Sequence, residues 1–273
     1  MHDYYKYSPE ELLLNTKVPM ELMESSQAVF SRMAADMTEE IIRNNEAGKR
    51  TVFICPVGPV GQYPYFVDLV NKKKISLKNV WFFNMDEYLT DDGKWIEPEN
   101  KLSFRGFMNR EVYGKIDSEL LMPECQRVFP DPLDPEKQPR LLEELGGADI
   151  CFGGIGINGH LAFNEPQPEM SAEEFAQLST RVLSITPETR TANAIGDLDG
   201  AIEDMPKMAV SIGIREILAS RKIRIGVFRT WHRAVLRRTG CGELTAAFPA
   251  TLLQKHPDAI VYANNIASEA AIK

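Results

Sequence analysis

An apolar run, Val80-Trp81-Phe82-Phe83, leads directly into Asn84-Met85-Asp86-Glu87-Tyr88. Such a run reads as a buried strand of an α/β sheet, and ligands of these sheets bind just beyond the strands' carboxyl ends. Two adjacent carboxylates delivered there, Asp86 and Glu87, suit proton transfer at carbon, which needs a base held rigidly and partly out of water. The same five residues also fit an ordinary acidic turn, since strand ends often carry Asp for its turn chemistry.

A second segment, residues 153–166, reads Gly-Gly-Ile-Gly-Ile-Asn-Gly-His-Leu-Ala-Phe-Asn-Glu-Pro and follows another apolar run, Ile150-Cys151-Phe152. Its glycines permit tight turns and close backbone approach to a ligand. A dinucleotide fingerprint would need a helix opening within the glycines, and Pro166 with the polar residues before it interrupts any such helix. His160 with Glu165 is more informative, because a carboxylate can orient an imidazole and keep it able to exchange protons near neutrality. The plain alternative is a buried structural histidine. Gly156 and Gly159 around Asn158, the nearby carboxylate and the strand-end position favour function.

The elements that must position these groups follow from periodicity. Phe30, Met33, Met37 and Ile41 recur at helical spacing until Gly48. Short β-rich runs occur at residues 51–55, 80–83, 150–152, 209–212, 223–228 and 259–262, several of them continuously apolar. Strands covered by helices on both faces need that composition, so the fold class is α/β: a Rossmann-like, three-layer αβα arrangement around a mainly parallel sheet. The length of 273 residues suits one domain, with residues 1–19 as an N-terminal extension. The proline-rich stretch 129–135 is a surface loop, and residues 169–200, with a short strand at 181–184, could fold over a pocket as a lid.

A net charge of -8 excludes a broad nucleic-acid or anionic-membrane surface. No run has membrane-spanning length, and the first residues lack the pattern of a signal peptide. The four cysteines are widely spaced, with neither metal-binding pairs nor a disulfide framework, which fits a reducing cytoplasm. Apolar helix faces are equally compatible with a monomer and a homo-oligomer.

The two segments, the later Thr186-Pro187-Glu188-Thr189-Arg190-Thr191-Ala192-Asn193 and His256-Pro257-Asp258-Ala259-Ile260 resemble, in order and separation, the glucosamine-6-phosphate deaminase/isomerase family. The similarity runs from about residue 51 to the C-terminus. It implies an aldose-ketose isomerase or deaminase of an amino sugar or its phosphate, working without metal or cofactor. Asp86 would carry a proton from C2 to C1 through an enediol-type intermediate. His160 would assist ring opening, with Glu165 and Asn158 supporting it. Substrate contacts are implied at Gly58, Gly61, Glu87, Gly159, Arg190, His232 and Arg233. The related 6-phosphogluconolactonases share the fold, but the continuation Phe163-Asn164-Glu165-Pro166 favours the deaminase branch.

The chain also departs from the family. Asn158 stands where many members carry Asp, which supports an imidazolium less. In Pro56-Val57-Gly58-Pro59-Val60-Gly61, Val57 and Val60 replace hydroxyl residues that grip the sugar phosphate, and Pro59 removes an N–H donor. Ile195 falls where a phosphate-contacting Arg is expected, and a Lys anchor aligns with His232 or Arg233. These changes point to an altered substrate tail, unless Arg229, His232, Arg233 or Arg190 rebuild the phosphate site. Two other functions compete: a sugar lactonase in which His160 activates water, and a non-catalytic sugar-binding or regulatory protein.

Overall fold

The computed structural model describes residues 2–272. Its strands, in chain order, are β1 (Met20–Met23), β2 (Thr51–Cys55), β3 (Val80–Asn84), β4 (Asp86–Leu89), β5 (Arg127–Val128), β6 (Ile150–Gly153), β7 (Arg181–Ser184), β8 (Met208–Ser211), β9 (Lys222–Val227) and β10 (Ala259–Asn264). Seven of them form one sheet in the order β1-β10-β9-β6-β2-β3-β5, every neighbouring pair parallel.

Side chains alternate between the two faces of this sheet, as strand geometry requires. Phe53, Phe82 and Phe152 pack on one face with Val29, Met33 and Met37 of the helix Ser26–Glu46 and Phe66 and Val70 of the helix Gln62–Lys73. Ile54, Cys151 and Ile225 pack on the other with Leu142 of the helix Lys137–Glu144 and Val235 and Leu236 of the helix His232–Cys241. The three-layer αβα architecture anticipated from the sequence is therefore present. Within the first helix the buried stripe is Val29, Met33, Ala34, Met37 and Ile41; Phe30 lies beside it, half-buried.

The residues read as a strand at 209–212 do not join this sheet. β8 lies in a second, antiparallel sheet of three strands in the order β4-β8-β7. Its apolar character comes from packing in a separate cluster that includes Tyr88, Phe163 and Ala209. Composition alone cannot distinguish that environment from a central parallel strand. Residues 84–88 are likewise not a loop: β3 ends at Asn84 and β4 begins at Asp86. Met85 links the sheets, its N–H donating to the Cys55 carbonyl at 3.0 Å and its carbonyl accepting from Ile212 N at 2.7 Å.

Residues 2–19 are not a mere appendage. Ser8 caps the helix Pro9–Asn15 in a capping box with Glu11, Leu12 and Val18 are buried in the core, and the Arg237 guanidinium donates to the Tyr7 carbonyl. The capping-box spacing from Ser8 to Glu11, with Pro9 at the first helical position, was the available signal in a segment too short for periodicity. Residues 129–135 form neither helix nor strand, as anticipated, and the Trp95 indole donates to the Pro130 carbonyl at 2.9 Å.

From β2 the chain proceeds to β3 on one side, whereas β6, on the other side of β2, is followed by β9 and β10. The segments leaving the carboxyl ends of β2 and β6 therefore diverge and open a crevice, the topological switch point of an open α/β sheet.

Glu87 ties the small sheet to the segment beyond it. Its buried carboxylate accepts from the N–H groups of Tyr88, Phe104 and Arg105 and from the Ser103 hydroxyl. Arg105 Nε lies 3.3 Å away. Removing one partner of a buried ion pair typically costs about 3–5 kcal/mol, because the remaining charge is stranded. Glu87→Ala is expected to lower the unfolding free energy in denaturant titration by about that amount. A loss below about 1 kcal/mol would show that the anchor contributes little.

Candidate active site

The crevice holds a cavity of about 540 Å³, lined by the segments following β2, β3, β6 and β9 and by parts of residues 101–107 and 192–197. A larger groove of about 1110 Å³ lies at the opposite, amino ends of the strands, among Arg43, Lys49, Lys78 and Arg221; it contains none of the groups singled out for chemistry.

Asp86 lines the crevice and is almost entirely buried, 7% exposed. It is the first residue of β4 and pairs across to Ser211, so backbone pairing fixes its position. No described residue donates a hydrogen bond to its carboxylate, and burial, reinforced by the charge of Glu87, pushes it well above the usual aspartate range. Glu87, by contrast, does not line the cavity. Successive strand residues point to opposite faces, and its oxygens are occupied by Tyr88 and residues 103–105. The expectation that Glu87 contacts substrate is thus replaced by an anchoring role.

His160 reaches the cavity from the turn after β6. Asn158 Nδ2 donates to Glu165 Oε2 at 2.7 Å, and since a carboxylate only accepts, the amide oxygen must face His160. That oxygen lies 2.8 Å from His160 Nδ1. The proton therefore sits on Nδ1, leaving Nε2 without a partner among the described residues. Glu165 Oε2 is 3.6 Å from the same ring nitrogen and accepts from Thr186 and Thr189 hydroxyls at 3.2 and 3.1 Å. Burial works against the Glu165 charge, but the hydrogen bonds and charge of His160, with Asn158 and Thr189, outweigh it and hold Glu165 below its usual range.

Two glycines shape this turn. A Cβ on Gly156 would lie 1.9 Å from the His160 ring, so the imidazole packs directly on bare backbone. Gly159 has φ +86° and a Cβ there would meet Phe248 at 2.6 Å. Gly159 does not line the cavity, and its carbonyl accepts from Ala250 N. Its anticipated substrate contact is replaced by a packing role.

Of the remaining anticipated contacts, Gly58 and Gly61 line the cavity. Arg190 and Arg233 do not. Arg190 donates to the carbonyls of Ile202 and Met205, and Arg233 binds the Ile266 carbonyl and the Glu269 carboxylate. His232 borders the cavity but is consumed by backbone: Nδ1 accepts from Phe228 N at 3.1 Å and Arg229 N at 2.8 Å, so Nε2 donates to the Ile155 carbonyl at 3.0 Å. Burial, with the Arg229 charge assisting, pushes its pKa down to about 3, and it stays neutral.

Sequence reasoning missed several wall residues. In the motif beginning at Thr186, the groups that serve the site are Thr186, Thr189 and Asn193, not Arg190; Asn193 Nδ2 donates to the Tyr88 hydroxyl at 3.0 Å. Thr186 caps the helix Pro187–Asp197, and that Thr-Pro start was the signal that a helix begins there. Residues 169–200 supply this wall through the helix's Ala192, Asn193, Gly196 and Asp197. Phe30, Lys101, Ser103 and Trp231 also line the cavity and carried no sequence signal for it beyond their types, whereas Arg229, considered from the sequence as a phosphate partner, lines it as well.

No family model matches the chain. A glucosamine-6-phosphate deaminase of Bacillus velezensis is 34% identical over 208 residues, covering 74% of this chain and 80% of the relative. That of Shouchella clausii is 31% identical, covering 88% and 92%. Among solved structures, a monomeric glucosamine-6-phosphate deaminase superposes with a TM-score of 0.77 at 26% identity, covering 92% of this chain and 98% of that one. A 6-phosphogluconolactonase from Shewanella baltica reaches a TM-score of 0.62 at 16% identity, covering 90% and 97%, and shares the fold. With the identity and coverage of these deaminases, the chain belongs to the glucosamine-6-phosphate deaminase family of isomerase/deaminase enzymes.

Proposed function

We propose that the crevice isomerises a 2-amino sugar from aldose to ketose and releases its amine as ammonia. The observation that carries this reading is Asp86: a buried carboxylate facing the same cavity as His160 Nε2, neither of them with a hydrogen-bond partner among the described residues. A carboxylate kept out of water and raised in pKa is a stronger base toward carbon than an exposed one.

The steps need only proton transfers and water. His160 Nε2 accepts the proton of the C1 hydroxyl and delivers it to the ring oxygen as the C1–O bond to the ring breaks, leaving an open-chain aldehyde. Asp86 removes the C2 proton, and the electron pair moves into a C1–C2 double bond as the aldehyde oxygen takes a proton from the substrate's C2 ammonium, giving an enol with a neutral amine at C2. The same carboxylic acid returns its proton to C1 as the nitrogen lone pair forms the C2=N bond, giving a C2 iminium with C1 now a CH2OH group. Addition of water and loss of ammonia leave the C2 ketone. Asn158, Thr189 and Glu165 hold the ring in the Nδ1–H form and stabilise the imidazolium formed between the two transfers. The lactonase reading uses His160 but gives the partnerless Asp86 no comparable task, so the geometry favours the isomerase.

Asp86→Asn is expected to abolish exchange of the C2 proton with solvent, lowering kcat by about 10³-fold or more while ligand binding persists. Exchange retained in that variant would remove Asp86 as the base. The same substitution has a stability signature. Burial raises Asp86 in the folded state, so ionising it there opposes folding; the penalty is complete above the folded pKa and disappears below the unfolded value of about 3.9. Asp86→Asn should therefore raise the melting temperature at neutral pH, with the gap closing as the pH approaches about 4. An unchanged or lower melting temperature at neutral pH would contradict this. Gly156→Ala should push the imidazole out of place, reducing kcat far more than melting temperature; full activity would show that the ring's position is not critical.

A further inference from the structure

One wall of the crevice has no role in the proton transfers. Residues 56–61 supply the side chains of Val57, Pro59 and Val60 and no hydroxyl. Gly61 packs on the Phe30 ring, which meets Phe228 edge-on at 4.9 Å between centroids. Trp231 lies tilted against His232, with ring centroids 3.9 Å apart. The N–H groups of Phe228 and Arg229, which could have faced an anion, donate to His232 Nδ1 instead. This side of the cavity is an aromatic and aliphatic surface on which Arg229 is the one charged side chain among the described residues.

Charge gives the same picture. The full charges lining the cavity are Asp86, Asp197, Lys101 and Arg229, two of each sign. Lys101 donates to the Asp197 backbone carbonyl at 2.5 Å, and both Lys101 and Arg229 act electrostatically on the Asp197 carboxylate. Glu165 adds a further negative charge behind His160. A phosphate ester would bring close to two negative charges into a partly dry site with no cationic surplus, and binding it would require desolvating that charge without compensation. A hydroxyl or a deoxy carbon needs no such surplus: loop N–H groups can hydrogen-bond a hydroxyl oxygen, and Phe30, Phe228 and Trp231 can pack against a sugar's C–H face.

We infer that the enzyme takes a 2-amino sugar carrying no phosphate, its remote end lying against Val57, Val60, Phe30, Phe228 and Trp231. The inference rests on the amino-sugar isomerase reading above and narrows its substrate class relative to the phosphate named for the relatives.

The test uses matched pairs: glucosamine, galactosamine and mannosamine, each beside its 6-phosphate. Dissociation constants come from calorimetry and C2-proton exchange from NMR in deuterium oxide, with the wild-type chain at one ionic strength. For the pair that binds best, the free sugar is expected to bind at least about tenfold more tightly than its phosphate, and to exchange its C2 proton faster. A phosphate ester that binds as tightly as its parent, or tighter, overturns the inference while observed exchange leaves the isomerase reading standing. Absence of exchange with every compound overturns the isomerase reading, and the order of binding still decides the tail. Failure of all six to bind overturns both.

Discussion

The structure turns on a carboxylate placed where no described residue donates a hydrogen bond to it. Asp86 begins β4 just as the chain leaves the parallel sheet, and the Met85 hydrogen bonds to Cys55 and Ile212 fix that junction from both sides. Its neighbour Glu87 has the opposite surroundings, with donors from Tyr88 and residues 103–105 around its oxygens. Alternation along a strand sends one carboxylate into the cavity and the other into the scaffold. The charge of Glu87 then raises the proton affinity of Asp86 further, so the anchor of the small sheet also tunes the base.

The opposite wall is organised around hydrogen-bond direction. Because Glu165 can only accept, the Asn158 amide has one orientation, and that orientation fixes the His160 tautomer. A neutral amide does here what an Asp could do only by placing a second carboxylate against Glu165. The Thr186 and Thr189 hydroxyls, delivered by the first turn of the helix Pro187–Asp197, complete the network.

Much of this was legible in the sequence, for reasons that also mark the limits. The apolar runs at 51–55, 80–83 and 150–152 identify strands buried on both faces, and strand-end position singles out Asp86 and His160. β8 reads the same way yet belongs to a different sheet, because a short apolar run does not reveal its neighbours. Arg190, His232 and Arg233 were expected at the substrate on residue type and alignment. Their side chains instead bind carbonyls, amides and Glu269, which are close only after folding. The wall residues Phe30, Asp197 and Trp231 come from separate helices and turns and share no local pattern. The valines of residues 56–61 were visible from the start, and the structure adds the rings that surround them.

The account depends most directly on the proton affinity of Asp86, which can be measured without knowing the sugar. In a 13C NMR titration of side-chain carboxyl carbons, with Asp86→Asn supplying the assignment, the Asp86 resonance should titrate clearly above the ordinary aspartate value of about 3.9. An Asp86 carboxyl that titrates at or below that value would mean the group is solvated or paired in solution, and would contradict the account of it as a base held in readiness by burial.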